Sequence, residues 1–205
     1  MLGEEARRIA ARQREQFNLL ADVFDVPQPA DVMDRLRQVV AAAGLRRGDA
    51  VLDVGTGAGV LIPLIEAYRP SLMLACDVAE EMLERVRRRY PQTRVIQADI
   101  TQAPLADGIV NAVFMNAMFG NIADKPAACR EAARMLRPGG RLVVSHPEGR
   151  AFVDGLRASG DWFIELLPSA AEFDALLGPA GLQVAVWRDE PKLYLMVAAK
   201  GVAGR

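Results

Sequence analysis

Apolar residues change their period several times along the chain, and each change marks an element. Over residues 4–24 they recur at helical spacing, with Ile9, Phe17, Leu20 and Phe24 separated by charges, which predicts an amphipathic helix. Val26-Pro27-Gln28-Pro29 ends it, because proline lacks an N–H donor and pushes the residue before it toward extended backbone. Asp31 is placed to cap a second helix whose inner face holds Leu36, Val39 and Val40, and Gly44 stops that helix. Short apolar runs follow. Residues 50–54, 72–76, 94–97, 109–115 and 141–145 read as strands, with helical segments at 60–68, 79–89 and 125–136 between them. Pro63 suits only the first turn of its helix, and Arg137-Pro138-Gly139-Gly140 predicts a turn before the fifth strand. Residues 146–169 read as irregular and 170–177 as a helix. Residues 182–187 and 193–199 read as two strands, and Arg188-Asp189-Glu190-Pro191 between them suits an antiparallel hairpin.

This alternation predicts an α/β fold: a doubly wound, seven-stranded, mostly parallel sheet with an antiparallel C-terminal hairpin and N-terminal helices. Residues 1–45 read as a helical appendage lying over the sheet's ligand-bearing edge, and 46–205 as the α/β domain. Right-handed crossovers bring the carboxyl ends of the parallel strands to one edge, where ligands bind at the reversal of strand order. Asp53, Asp77, Asp99, Asn116 and His146 all fall at or beside such ends.

Composition narrows the picture. With 51% hydrophobic residues, 25% charged residues and a net charge of −1, the chain is globular and has no basic field that would draw it to nucleic acid or a membrane surface. The arginine clusters at 7–8, 46–47 and 87–89 read as solvated helix ends and faces. Cys76 and Cys129 lie far apart and, with the single histidine, make neither a zinc site nor a disulfide framework, so no metal is expected. The chain has no apolar run of membrane-spanning length and no signal-like N-terminal segment, which predicts a cytoplasmic protein.

The chemistry concentrates at Val51-Leu52-Asp53-Val54-Gly55-Thr56-Gly57-Ala58-Gly59. A strand turning through such a loop into a helix offers backbone N–H groups and close approach to a ligand. A dinucleotide is one candidate, but its G-x-G-x-x-G spacing is one residue longer before the third glycine. A carboxylate inside the strand would also repel a pyrophosphate. Asp53 suits a ligand carrying positive charge.

These residues resemble the first motif of the class I S-adenosylmethionine-dependent methyltransferases. Asp77-Val78 resembles that family's acidic residue after the second strand, and Gln97-Ala98-Asp99-Ile100 its adenine-contacting segment. Leu136-Arg137-Pro138-Gly139-Gly140-Arg141-Leu142 is similar to its turn into the fifth strand, and the closing hairpin to its inserted antiparallel strand. The four matches occur in order over residues 44–200. Phe17 to Asp25 loosely resembles the aromatic-rich N-terminal helix of the type 11, ubiquinone/menaquinone-biosynthesis-like group.

The resemblance implies a Rossmann-like methyltransferase domain that takes S-adenosyl-L-methionine, releases S-adenosyl-L-homocysteine and methylates a small molecule. It implies that the loop Gly55, Thr56, Gly57 and Gly59 accepts the methionine carboxylate on its N–H groups, and that Asp53 offsets the amino group. Asp77 would accept from the ribose hydroxyls, Val78 and Met82 would pack near the adenine, and Asp99 with Ile100 would meet its amino group. Val78 and Met82 are also core-like residues, and Asp99 is also a turn former. Asn116 would contact the methionine end or the acceptor, although asparagine commonly supplies turn geometry. His146 is either the general base, alone or with Glu148, or a histidine bonded to loop backbone. Residues 152–167, with Phe152, Trp162 and Phe163, would form an acceptor-side lid with the N-terminal helix, or else ordinary core. A cofactor-binding partner subunit without activity of its own and a nicotinamide dehydrogenase are the other classes in view.

Overall fold

The order of the strands explains where a ligand can sit. In the computed structural model, which describes residues 2–160 and 163–202, seven strands form one sheet in the order β3-β2-β1-β4-β5-β7-β6. They are β1 Ala50–Val54, β2 Leu72–Asp77, β3 Arg94–Gln97, β4 Val110–Asn116, β5 Leu136–His146, β6 Leu182–Glu190 and β7 Leu193–Lys200. The first five run parallel, and β7 enters antiparallel between β5 and β6. After β1 the chain goes one way to β2 and β3, then returns to β4 on the other side of β1. The crevice between the carboxyl ends of β1 and β4 is therefore the topological switch point.

Side chains alternate between two faces. Leu52, Val54, Val113, Met115, Leu142, Val144 and Met196 face α6 (Lys125–Met135) and α8 (Ala170–Leu177). Val51, Ala75, Phe114, Val143 and Leu195 face α3 (Ala30–Ala42), α4 (Ile62–Glu66) and α5 (Glu80–Arg89). The inner face of α3, with Val32, Leu36, Val39 and Val40, belongs to that second core. Residues 30–45 thus share the sheet's own core, whereas α1 (Leu2–Leu19) and α2 (Ala21–Phe24) make a smaller contact with α5 through Phe17, Ala21, Ala79 and Met82.

Several boundaries differ from those predicted. The single helix expected over 4–24 breaks at Leu20, whose ψ of 11° is not helical. Asp31 does not cap α3: the capping position is Pro29, without a side-chain bond, and Asp31 sits in the first turn paired with Arg35. The helix at 60–68 shrinks to five residues because the glycine loop runs on to Leu61. The turn at 137–140 lies inside β5, looped out between the pairs Val110–Leu136 and Ala112–Arg141. The hairpin loop is only Pro191-Lys192, since Arg188, Asp189 and Glu190 stay in the ladder.

The stretch expected to be irregular contains α7, Gly149–Ser159, closed by Gly160 in the left-handed conformation at φ 74°. Of its residues, Val153 is buried and Phe152 is about half exposed. Gly149 permits the turn into α7, because a Cβ there would lie 2.6 Å from the Pro191 carbonyl oxygen. α8 begins with a reciprocal capping box between Ser169 and Glu172.

Leu36 is 1% exposed, so Leu36→Ala should cost about 2–5 kcal/mol and lower the midpoint of one cooperative unfolding transition. Chemical denaturation followed by tryptophan fluorescence and by far-ultraviolet circular dichroism checks this. A transition that left the sheet's midpoint unchanged would make α3 an independent appendage.

Candidate functional site

At the switch point lies a cavity of about 640 Å³, within the range of pockets that hold small organic ligands. Its floor is the glycine loop and the ends of β1, β2 and β4. Its cover comes from α1 (Ala10, Gln13, Phe17), the strap 24–28 and the start of α3. Of the residues expected to bind a cofactor, Asp53, Gly55, Thr56, Gly57, Asp77, Val78, Met82, Asp99, Ile100 and Asn116 all line this cavity.

Gly59 stands behind the lining. A Cβ there would lie 2.8 Å from both Ile62 and Tyr90, so its role is packing under the loop at φ 86°. Gly55, at φ 62°, could not carry a Cβ without meeting Met118 Cγ at 2.7 Å. At Gly57, with φ 53°, a Cβ would meet nothing within 4 Å, and only the backbone conformation demands glycine.

The loop's hydrogen bonds differ from the expectation. Thr56 N–H donates to the Cys76 carbonyl (3.1 Å), Gly57 N–H to Asp77 Oδ2 (2.9 Å) and Gly59 N–H to the Thr56 carbonyl (2.9 Å). These three donors are therefore spent inside the protein and do not await a carboxylate. The loop's contribution is close approach rather than an anion cradle at those positions. Asp77 also accepts from Ala79 N–H through Oδ1 (2.9 Å), which ties the loop to the start of α5. Val78 N–H also bonds to it, and a carboxylate's roughly four acceptor positions still leave room for a ligand.

Asp53 is 2% exposed and accepts from Thr56 Oγ1–H at 2.7 Å. Burial pushes its carboxyl up to about 7, against the pull of the Thr56 hydroxyl, and the neighbouring Asp77 pushes it the same way. Burial also raises Asp77, opposed by its N–H donors. Two carboxyls in one dry corner favour a cation between or beside them.

Asp99 uses Oδ1 to accept from both the N–H and the hydroxyl of Thr101, capping the short 3₁₀ turn Ile100–Gln102. It is thus a turn former that also lines the cavity. Asn116 Oδ1 accepts from Ser145 Oγ–H at 2.9 Å, which leaves its amide N–H groups as donors. Ala117 beside it holds φ 55°, a left-handed conformation unusual for alanine, and its N–H donates to the Ser145 carbonyl.

His146 departs from the catalytic expectation. It ends β5, but the cavity is lined by its neighbour Pro147. The imidazole is 8% exposed, its Nδ1 accepts from Glu148 N–H (3.3 Å) and its ring rests on Phe152. Burial lowers it to about 4. This is the loop-bonded histidine of the two alternatives, and Glu148 is engaged by Arg35, which also donates to the Pro147 carbonyl. Phe152 and Phe163 do not line the cavity, so the lid expected over 152–167 is replaced by α1 and the strap. Trp162 lies outside the described residues.

Sequence reasoning missed Met118, Gln13, Tyr90 and Met33 as lining residues. None has a motif of its own. The cover is fastened by Asp25, which pairs with Arg85 (3.4 Å) and Arg89 (2.8 Å), by Asp22 on Arg85, and by Asn18 accepting from Glu81 N–H (3.1 Å).

Comparison with known proteins agrees with this geometry. A family model described as a methyltransferase domain matches residues 52–144. A demethylmenaquinone methyltransferase from Mycobacterium sp. (strain KMS) is 32% identical over 173 residues, covering 80% of this chain and 72% of that one. Another, from Beutenbergia cavernae, is 36% identical over 132 residues, covering 63% and 52%. The chain spans between 40% and 72% of the lengths of the curated relatives it matches, the 40% being that of an uncharacterized 37.1 kDa protein in a transposon of Streptomyces fradiae. The crystal structure of an S-adenosylmethionine-dependent methyltransferase from Aquifex aeolicus superposes with a TM-score of 0.68 at 24% identity, over 87% of this chain and 96% of that one. The chain belongs to the class I S-adenosylmethionine-dependent methyltransferases, in the ubiquinone/menaquinone-biosynthesis-like group.

Proposed function

We propose that this protein transfers a methyl group from S-adenosylmethionine to a small apolar acceptor. The observation that carries the reading is Asp53, a buried carboxyl with one hydroxyl donor, opening onto a cavity of about 640 Å³ beside a loop built for close backbone approach. A ligand that brings an ammonium group to that corner supplies the charge the carboxyl lacks. When bound, S-adenosylmethionine supplies an electrophilic methyl group on a sulfonium that is a good leaving group.

The chain's own residues bind and orient. Asp53 would meet the amino group, Gly55 and Gly57 would let the backbone lie against the methionine end, and Asp77 would accept from the ribose hydroxyls. Val78, Met82 and Ile100 would pack on the adenine, and Asp99 would accept from its amino group. Asn116, held by Ser145, would donate toward the methionine end or the acceptor. α1 and the strap 24–28 exclude water, and much of the acceleration comes from holding two reactants in line. The names of the relatives and the apolar lining residues Val32, Met33, Leu36 and Met118 favour an aromatic or otherwise apolar acceptor.

Calorimetry should show S-adenosylhomocysteine binding at micromolar or lower Kd with no heat from NAD, and Gly57→Ala should weaken binding at least tenfold. Heat from NAD alone would overturn the cofactor.

Asp53 adds a pH signature. Its folded-state value, about 7, lies above the unfolded value near 3.8. Its contribution to stability is therefore full below pH ~4 and is lost as pH rises through about 7, by up to roughly 4 kcal/mol in the ligand-free protein. Asp53→Asn, which cannot ionise, should gain Tm relative to the parent as pH goes from 5 to 8 while losing affinity for S-adenosylhomocysteine. A Tm difference that stays constant over that range would mean that Asp53 ionises as an ordinary carboxyl.

A further inference from the structure

Two cavities meet at one ion pair. Outside the switch-point cavity lies a second, open hollow of about 430 Å³, bounded by Asp22, Asp25, Arg85, Arg88 and Arg89. Asp25 and Arg89 line both cavities, and their side chains pair at 2.8 Å. This pair is therefore part of the partition between the inner cavity and a charged vestibule. Its two ends stand on different parts of the fold. Asp25 lies in the strap between α2 and α3, where residues 25–29 form neither helix nor strand. Arg89 is the last residue of α5, and its guanidinium also donates to the Ala58 carbonyl of the glycine loop at 3.4 Å.

The cover is held there by contacts that can give way without unfolding an element. Its described polar ties to α5 are Asn18, which accepts from Glu81 N–H (3.1 Å), Asp22 on Arg85, and Asp25 on Arg85 (3.4 Å) and Arg89. Across the cavity, Gln13 donates to the Asn121 carbonyl at 2.7 Å. The apolar support beneath is small, Phe17 and Ala21 against Ala79 and Met82, and Val26 beside the pair is 55% exposed. The Asp22 side chain is 96% exposed and that of Arg89 48%, so water and salt reach these pairs. An ion pair in that setting shifts an equilibrium by about two- to fivefold. Such a contact times an opening but does not seal it.

We propose that the Asp25–Arg89 pair is the gate through which the cofactor enters and leaves, with the vestibule on its outer side and the glycine loop as its inner post. This rests on the methyltransferase reading above. Rotation of Asp25 away from α5 joins the two cavities and leaves β1, α4 and α5 in place. The pair forms whether the inner cavity is filled or empty, so breaking it lowers the barrier to passage in both directions. Association and dissociation then change by the same factor and affinity stays nearly constant. A side chain that only held the bound cofactor would change dissociation alone.

The test measures association and dissociation of S-adenosylhomocysteine on the immobilised full chain by surface plasmon resonance. That ligand is a zwitterion without net charge at neutral pH, so salt acts on the gate rather than on long-range steering. In the parent, raising NaCl from about 0.05 to about 0.5 M should speed both rates about threefold at nearly constant Kd. Asp25→Asn and Arg89→Gln should each raise both rates about three- to tenfold at low salt and lose most of the salt response. Arg87→Gln removes a guanidinium of the same helix that pairs only with Glu80 and Glu84 among the described residues, and should leave the rates at the parent's values. A rise in dissociation alone makes Asp25 or Arg89 a cofactor contact and overturns the gate. Rates that salt and both substitutions leave unchanged overturn it too. If S-adenosylhomocysteine does not bind the parent, the methyltransferase reading falls, and hydrogen exchange in the chain without ligand decides whether the pair holds the cover. Amides of residues 10–24 should then exchange about three- to tenfold faster in Asp25→Asn than in Arg87→Gln. Equal exchange in the two variants overturns the gate as well.

Discussion

The site depends on the carboxylate of Asp77 more than on any other single group. One of its oxygens accepts from the glycine loop and the other from the first residue before α5. It thus fixes two backbone segments from two different βα units relative to each other, at the point where the sheet's order reverses. The cost is burial of a charge beside Asp53, and the structure offsets it with backbone N–H donors rather than with a cation. A ligand bearing positive charge completes what the folded chain leaves electrostatically unbalanced.

How the sequence translated into this arrangement differs by element. The inner parallel strands were legible because they are short apolar runs with a polar residue at or near the end, Asp53 in β1 or Asp77 in β2, and are buried on both faces. Their crossovers then followed from handedness alone. α7 was not legible. Gly149 and Gly155 lower its propensity, and only Val153 of its residues is a fully buried apolar side chain, so the helical period is faint. The break at Leu20 was hidden instead by a helical period that runs on through Phe17, Leu20 and Phe24.

At the site, residue identity was readable but direction was not. Ten of the expected cofactor residues line one cavity because strand ends converge whatever the loop details. Whether His146 or Pro147 faces that cavity turns on a single residue at the end of β5, where the alternation of faces decides and no motif helps. The lining from α1 and α3 was invisible for a related reason. Phe17, Met33 and Leu36 obey the ordinary rule of an apolar helix face, and only tertiary packing shows which part of that face covers ligand rather than core. Nor was the direction of the Thr56, Gly57 and Gly59 donors legible, because a glycine-rich turn does not show that they go to Cys76, Asp77 and Thr56.

Those internal bonds have a consequence for turnover. With the N–H groups of Thr56, Gly57 and Gly59 bonded inside the protein, the fold itself holds the loop's shape, so occupancy demands little rearrangement there. The methyl donor and its spent form differ only by one carbon and one charge, and a rigid floor of this kind meets both in nearly the same way.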